Sequence, residues 1–409
     1  MSAQPLALYV HIPFCETKCP YCDFNTYAGI AHLMPAYVAA LEHELAGWGR
    51  WLGRPELGSV FFGGGTPSFL PTRDLARLMR AIREAFLLRE DAEVTVEANP
   101  GDCARERLQA MRRAGFNRIS IGVQSFDDAE LVALGRRHDA AQARVAVATA
   151  RLAGFERISL DLMFGLPRQY FSTWAHTVEE ALALGTEHLS AYALTLEGGT
   201  PMEADTRAGR LPEADPDLAA EMYRHLQAEA VRAGLAQYEV SNWARPGRES
   251  CHNLAYWRVE PYLGVGPGAH SHLYDAPGLG IEALGPWGVR FANAKPPRAY
   301  MEQVNAWEPG GPLDADAISA AGAVESAEAV DAAMAQGEFM MMGLRLNEGV
   351  WGEAFAARFG MGIETRFPHA TAECLELGLL EWADGRLRLT EDGRLLGNEA
   401  FSRFVTEGR

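Results

Sequence analysis

Apolar runs rich in Val, Ile, Leu, Phe and Tyr recur along the first 235 residues and alternate with stretches whose apolar positions repeat at helical spacing. The runs Leu6–His11, Ser59–Phe62, Glu93–Ala98, Arg118–Gln124, Arg157–Met163 and His188–Leu196 read as strands. Between them, Ala36–Trp48, Thr72–Phe86, Ala104–Arg113, Ala140–Ala153 and Ser172–Leu184 read as amphipathic helices, and Asp217–Arg232 follows the last strand. Such alternation predicts parallel strands joined by right-handed helical crossovers. Six units predict an α/β fold, a partial (β/α)6 TIM-like barrel.

Residues that break the apolar pattern gather near the strand ends. A cysteine-rich loop follows the first strand, and Gly63-Gly64-Gly65-Thr66-Pro67 follows the second. Glu97 ends the third strand and Gln124 the fourth, Asp161 lies in the fifth, and Tyr192 and Ala193 lie in the sixth. Ligand sites of parallel α/β sheets form at the carboxyl ends of the strands, so one shared cavity is predicted there.

Past residue 235 the rhythm changes, which predicts a barrel over 1–235, a connecting segment over 236–317 and a third unit over 318–409. The connecting segment is rich in aromatics and glycine and contains His252-Asn253-Leu254-Ala255-Tyr256-Trp257. Its stretch Gly278–Pro312, with Pro296-Pro297, reads as loop. The last unit shows helical patterns at Ser326–Leu344, Gly352–Phe359 and Ile363–Gly378, then a hairpin, Leu380–Trp382 and Leu387–Leu389, across Ala383-Asp384-Gly385-Arg386. Helices followed by a small hairpin predict a winged-helix-like α+β domain. From Glu338 onward it carries 12 acidic residues against 8 arginines, so it is not a DNA-reading wing.

At 409 residues, with 48% hydrophobic and 22% charged, the chain can bury a large core. A net charge of −17 works against nucleic-acid partners, which need Lys and Arg to displace phosphate counterions. The start of the chain reaches a strand by Leu6 without a basic and apolar leader, and no apolar run approaches the roughly 18 residues of a membrane span. The expectation is a cytoplasmic, reduced protein.

Cys15, Cys19 and Cys22 carry the most specific chemistry. Three thiolates on one short loop can ligate three irons of a [4Fe–4S] cube and leave the fourth open. Structural zinc is the competing reading, but it needs a fourth ligand, and Cys103, Cys251 and Cys374 stand far away in sequence. A disulfide would leave one of the three unpaired. The glycine run lacks the Lys-Ser/Thr ending of a P-loop and the spaced glycines of a dinucleotide fold, but it lets backbone approach a ligand closely. Asp161, inside a strand read as buried on both faces, needs a partner such as Arg136 or a ribose hydroxyl pair.

The cysteine loop, Gly63–Pro67, Glu97-Ala98-Asn99-Pro100, Gly122-Val123-Gln124-Ser125-Phe126 and Asp161–Pro167 together resemble the radical S-adenosylmethionine (SAM) superfamily, in its oxygen-independent coproporphyrinogen III oxidase-like branch. The resemblance implies a radical SAM barrel whose open iron is chelated by SAM. It places Tyr9, Gly64, Gly65, Thr66, Glu97, Gln124, Arg136 and Asp161 around SAM, Tyr21 packed between cysteine ligands, and Met163 and Ala193 further back.

Coproporphyrinogen-oxidising members of the branch carry a further cysteine two residues after the third ligand and a longer N-terminal arm. Here that position is Phe24, and the first strand begins almost at once. Radical SAM oxidative decarboxylation of coproporphyrinogen III is therefore the alternative function, and no catalytic residue is assigned. Cys22-Asp23-Phe24-Asn25 and the His252–Trp257 segment are similar to the haem chaperones of the branch. That resemblance implies haem as cargo, with His252 as iron ligand and Cys251 in competition, and His270 and His272 as weaker candidates. It further implies transfer to haem-requiring proteins, including membrane respiratory enzymes. The family contains both dimers and monomers, so a second copy of the chain is among the expected partners.

Overall fold

The computed structural model describes residues 4–408. Six strands follow the predicted order: β1 (Leu6–Ile12), β2 (Glu56–Gly64), β3 (Leu87–Ala98), β4 (Arg118–Gln124), β5 (Arg157–Phe164) and β6 (His188–Ala193). They pair in parallel in that order. The predicted crossover helices are present, from Met34–Trp51 through Phe171–Ala183, with Pro216–Arg232 after β6. Two short helices, Asp128–Ala133 and Pro201–Arg207, escaped the periodicity because each is too brief to show an apolar stripe.

The strands are not apolar on both faces. In β4 the order Arg118-Ile119-Ser120-Ile121-Gly122-Val123-Gln124 sends Ile119, Ile121 and Val123 into the main hydrophobic core while Ser120, Gly122 and Gln124 face the cavity. β5 repeats the pattern, with Ile158, Leu160 and Leu162 in that core and Asp161 and Met163 on the cavity. Each apolar side chain buried outward against a helix contributes roughly 1.5–3 kcal/mol. β5 is buried on both faces, as expected, and Asp161 has the partner its burial demands in Ser120 Oγ, at 2.9 Å, on the cavity side.

The connecting segment is more than a connection. It supplies β7 (Ala236–Glu239), β8 (Asn242–Ala244), β9 (Tyr262–Val265), β10 (His270–Leu273) and β11 (Val289–Asn293) to the same sheet. β9 lies beside β1 and parallel to it. β12 (Val324–Ala329) pairs antiparallel with β11, so the order is β12-β11-β10-β9-β1-β2-β3-β4-β5-β6-β8-β7. Two expectations are thereby corrected. The first part of Ser326–Leu344 is strand, and helix begins only at Ala332, where Asp331 accepts the Met334 N–H. Gly278–Pro312 holds β11 and a helix, Pro297–Asn305, because proline in a first helical turn starts a helix instead of breaking it.

The C-terminal residues build a second core around Met340, Phe355, Phe367 and Phe404. Its three-stranded antiparallel sheet contains Val350–Trp351, Arg386–Leu389 and Leu380–Ala383, in that order, giving a winged-helix-like unit. Asp384 and Gly385, both at positive φ, make the tight hairpin turn.

Candidate functional site

The cysteine loop leaves β1 at its carboxyl end, and Cys15, Cys19 and Cys22 all border one cavity of about 550 Å³. Each thiol has a polar neighbour: Thr66 Oγ1 donates to Cys15 Sγ at 3.4 Å, Arg136 Nη1 donates to Cys19 Sγ at 3.5 Å, and Cys22 Sγ lies 3.9 Å from Thr26 Oγ1. None of the three is in a disulfide. Among the described residues, no three His, Cys, Asp or Glu side chains close around a single ion, as structural zinc would require. A [4Fe–4S] cube takes each thiolate on a different iron, and this set suits it.

Asn25, at the base of the loop, acts as a bracket. Its Nδ2 donates to the carbonyls of Pro267 and Lys295, both at 2.9 Å. Its own carbonyl accepts from His11 Nε2 at 2.9 Å, which leaves His11 Nδ1 to accept the Tyr9 hydroxyl at 3.0 Å. The glycine-rich segment after β9 therefore holds the cysteine loop in place.

The glycine turn ends β2. Gly64 has φ +105°, and a Cβ there would stand 2.5 Å from His11 Nδ1. At Gly65 a Cβ would lie 2.8 Å from the carbonyl oxygens of both Ile12 and Phe14. The Gly64 N–H donates to Glu97 Oε2 at 3.2 Å. Burial, with the neighbouring charge of Asp161, raises the Glu97 pKa to about 8. Asp161 is raised by burial as well, although Ser120 Oγ donates to both its oxygens at 2.9 and 3.1 Å. Two adjacent carboxyl groups that resist ionisation suit a ligand that brings positive charge or hydroxyl donors.

Tyr21, Gly64, Gly65, Thr66, Glu97, Gln124, Arg136, Asp161, Met163 and Ala193 line this cavity with the cysteines. Gln124 reaches it through a bulge in the β4–β5 pairing, with φ +70°. Arg136 spans to the Gly122 carbonyl at 2.8 Å and to Asn99 Oδ1. Tyr9 does not line the cavity; its ring lies behind, near Phe61. Sequence reasoning missed Asn99, Ser120, Ser190 and Asn253, all of which line it. The polar-apolar alternation of β4 and β6 was the available signal for the two serines.

His252 is not in a loop. It sits in the first turn of the helix Cys251–Trp257, capped by Ser250, whose hydroxyl meets the Asn253 N–H. This helix closes the amino-terminal end of the barrel, where Glu93 accepts the His252 N–H at 3.2 Å and Arg157 donates to the Glu249 carbonyl at 3.4 Å. Only 1% of His252 is exposed. Its Nδ1 is 2.9 Å from Ser59 Oγ and its Nε2 3.0 Å from Tyr256 Oη, so both ring nitrogens are occupied and neither is free for iron in this arrangement. Burial, with the charge of Arg118, lowers its pKa to about 3. Cys251, beside it, is exposed. Trp257 packs under the Arg345 guanidinium at 4.5 Å, against the C-terminal unit. His272 bonds the Trp287 carbonyl at 2.8 Å, and His270 is exposed.

Comparison with known proteins follows the same outline. The radical SAM superfamily profile matches residues 9–181, and that of the HemN C-terminal domain matches residues 335–396. Heme chaperone HemW of Bacillus subtilis is 37% identical over 98% of this chain and 99% of its own length. HemW of Mycobacterium tuberculosis is 36% identical over 97% of this chain and 94% of its own. The mouse mitochondrial radical S-adenosyl methionine domain-containing protein 1 is 47% identical, over 65% of this chain and 60% of its own. Among solved structures, coproporphyrinogen III oxidase (HemN) of Escherichia coli superimposes with a TM-score of 0.80 at 24% identity, covering 99% of this chain and 91% of that one. That last likeness is one of fold.

Proposed function

This chain belongs to the HemW family of the radical SAM superfamily, and from that premise we propose that it is a haem chaperone that binds haem and hands it to haem-requiring proteins. The observation that carries the reading is the full-length likeness to HemW relatives, over 98% of this chain in the Bacillus subtilis case. Phe24 supports it: this ring, 64% exposed, borders the cavity at the position where coproporphyrinogen-oxidising enzymes resemble one another in having a further cysteine.

The cavity fits the family's cofactors. Three unpaired thiols on one loop match a [4Fe–4S] cube with an open iron, and Gly64 and Gly65 clear backbone where any side chain would collide. A bound cluster with SAM supplies one-electron chemistry. The protein's own part is to hold and orient. Thr66 and Arg136 donate to thiols, Glu97 and Asp161 offer carboxyl groups to the ligand, and Gln124 and Met163 border the rest.

Haem, as cargo, belongs elsewhere on this reading. Cys251 is the group of the Cys251–Trp257 helix that external haem reaches without breaking the packing of His252. The acceptors would be haem-requiring proteins, membrane respiratory enzymes among them, served from the cytoplasm by a chain that works alone or as a homodimer. No helix among the described residues is long and apolar enough to cross a membrane. Anaerobic haem titration of the cluster-loaded protein, followed by addition of an apo haem protein, tests the reading: a Soret band that forms and then moves to the acceptor supports it, and absence of haem binding overturns it.

A further inference from the structure

Glu44, on the crossover helix Met34–Trp51, is 1% exposed and does not border the cavity. A carboxylate so deep in the fold is costly unless donors surround it. Its Oε2 accepts the Gly266 N–H at 2.8 Å and the Tyr300 hydroxyl at 2.6 Å, and its Oε1 accepts Asn293 Nδ2 at 2.7 Å. The donors come from three places: the turn after β9, the helix Pro297–Asn305 and β11.

Asn293 Nδ2 also donates to the Gly266 carbonyl at 3.0 Å, so both polar backbone groups of Gly266 are fixed. The turn has no slack toward β1, since a Cβ at Gly266 would stand 2.6 Å from the His11 carbonyl oxygen. The next carbonyl along, that of Pro267, accepts Asn25 Nδ2 at 2.9 Å, and Asn25 follows Cys22 by three residues. The same helix grips the start of the cysteine loop. Tyr37, two turns before Glu44, donates its hydroxyl to the His11 carbonyl and packs edge-on against Phe14, centroids 5.1 Å apart.

We propose that Glu44 is a positioning residue for the cluster: by fixing Gly266 and Pro267 it holds Asn25, and through Asn25 the cysteine loop, in the shape that receives the cube before any iron is bound. This rests on the cluster half of the reading above and is independent of haem. Glutamine is nearly isosteric with glutamate, yet at position 44 its amide cannot accept from both Gly266 and Asn293, because one of its two ends is a donor.

Hydrogen exchange over residues 15–26 of the cofactor-free protein tests the proposal, together with the anaerobic rate at which a chelator strips the cluster from loaded protein. The samples are wild type, Glu44→Gln, Tyr300→Phe, Asn25→Ala, the double variant Glu44→Gln/Asn25→Ala, and Met79→Ala, a fully buried core residue of the helix Thr72–Ala85 that serves as the control for lost stability. Glu44→Gln should speed exchange in the loop about tenfold and cluster loss at least about threefold. Tyr300→Phe, which removes one donor, should shift both in the same direction by less, and it carries the test if Glu44→Gln fails to fold. Met79→Ala should lower the melting temperature and leave the loop's exchange unchanged. The double variant should lose its cluster no faster than Asn25→Ala alone, since the two residues act in one chain, whereas independent effects would multiply. Wild type that takes up no cluster overturns the cluster reading itself. Wild type that loads normally, with loop exchange unchanged in Glu44→Gln and Tyr300→Phe, overturns this inference alone, as does Met79→Ala loosening the loop equally or a double variant whose rates multiply.

Discussion

Glu97 Oε2 accepts the backbone N–H of Gly64 at 3.2 Å, joining the carboxyl end of β3 to the glycine turn of β2. This places a buried carboxyl group beside the backbone that the family resemblance assigns to SAM. Burial, then the proximity of Asp161, raises its pKa to about 8.

That shift has a sign. Between about 4.5 and 8 the unfolded chain has released the Glu97 proton and the folded protein retains it, so folding stability falls as pH rises through this window. The buried neutral histidines His252 and His138, lowered to about 3 and 4, act the other way: their contribution is present above about 6.5 and is lost as pH falls. The Glu97 effect is therefore read as a difference. Melting temperatures of cofactor-free wild type and Glu97→Gln, measured from pH 5 to 8.5, should show wild type losing ground steadily to the variant. Parallel curves would refute the assignment.

The cluster ligands are tested by colour. Replacing Cys15, Cys19 or Cys22 with Ala should abolish the brown 4Fe–4S chromophore after anaerobic reconstitution, since two thiolates hold a cube poorly. Cys103→Ala and Cys374→Ala, both at buried cysteines away from the cavity, should keep it. Absorbance near 400 nm with iron and sulfide analysis decides, and retention in Cys19→Ala with loss in Cys103→Ala would invert the ligand set.

Gly65→Ala should be costly out of proportion to one methyl group. The added Cβ would meet two backbone carbonyls at 2.8 Å, and backbone cannot rotate away as a side chain can. A loss of about 1–3 kcal/mol is expected, together with poor cluster loading, because Phe14 leads directly into the cysteine loop. Denaturant unfolding of the cofactor-free variant gives the first quantity and iron content the second.

Haem separates the two residues at the head of one helix. Cys251→Ala should weaken haem binding by at least about tenfold, roughly 1.4 kcal/mol, and remove any thiolate-type Soret signature, whereas His252→Ala should leave the band in place. The reverse pattern in a spectral titration would show that the helix opens to release the imidazole.

Much of this site was legible in the sequence because its parts fall at the ends of regular elements. Cys15, Cys19 and Cys22 are close in the chain, so no fold was needed to bring them together, and Gly64 with Glu97 follow from the rule that parallel strands deliver their carboxyl ends to one place. Asp161 shows what the pattern carries only in part: its place in a buried strand implies a partner, but that Ser120 is that partner, and that Asp161 and Met163 border the cavity while Ile158, Leu160 and Leu162 join the core, follows only from the fold. His252 shows the other limit. Its position at the closed end of the barrel depends on Ser59 and Glu93, some 193 and 159 residues away in the chain, and no local pattern carries such contacts. The strand Val324–Ala329 was hidden likewise, since the sequence Val-Glu-Ser-Ala-Glu-Ala has little apolar content and owes its form to pairing with β11.

The measurement closest to the central claim takes one anaerobic, cluster-loaded sample, confirmed to bind SAM, and divides it between haem titration and incubation with coproporphyrinogen III under reducing conditions. A haem chaperone with Phe24 in place of the further cysteine should give a saturable Soret band and no protoporphyrinogen IX. Steady formation of protoporphyrinogen IX, at rates on the order of 1 s⁻¹ or well below it, by protein that binds no haem would contradict the account.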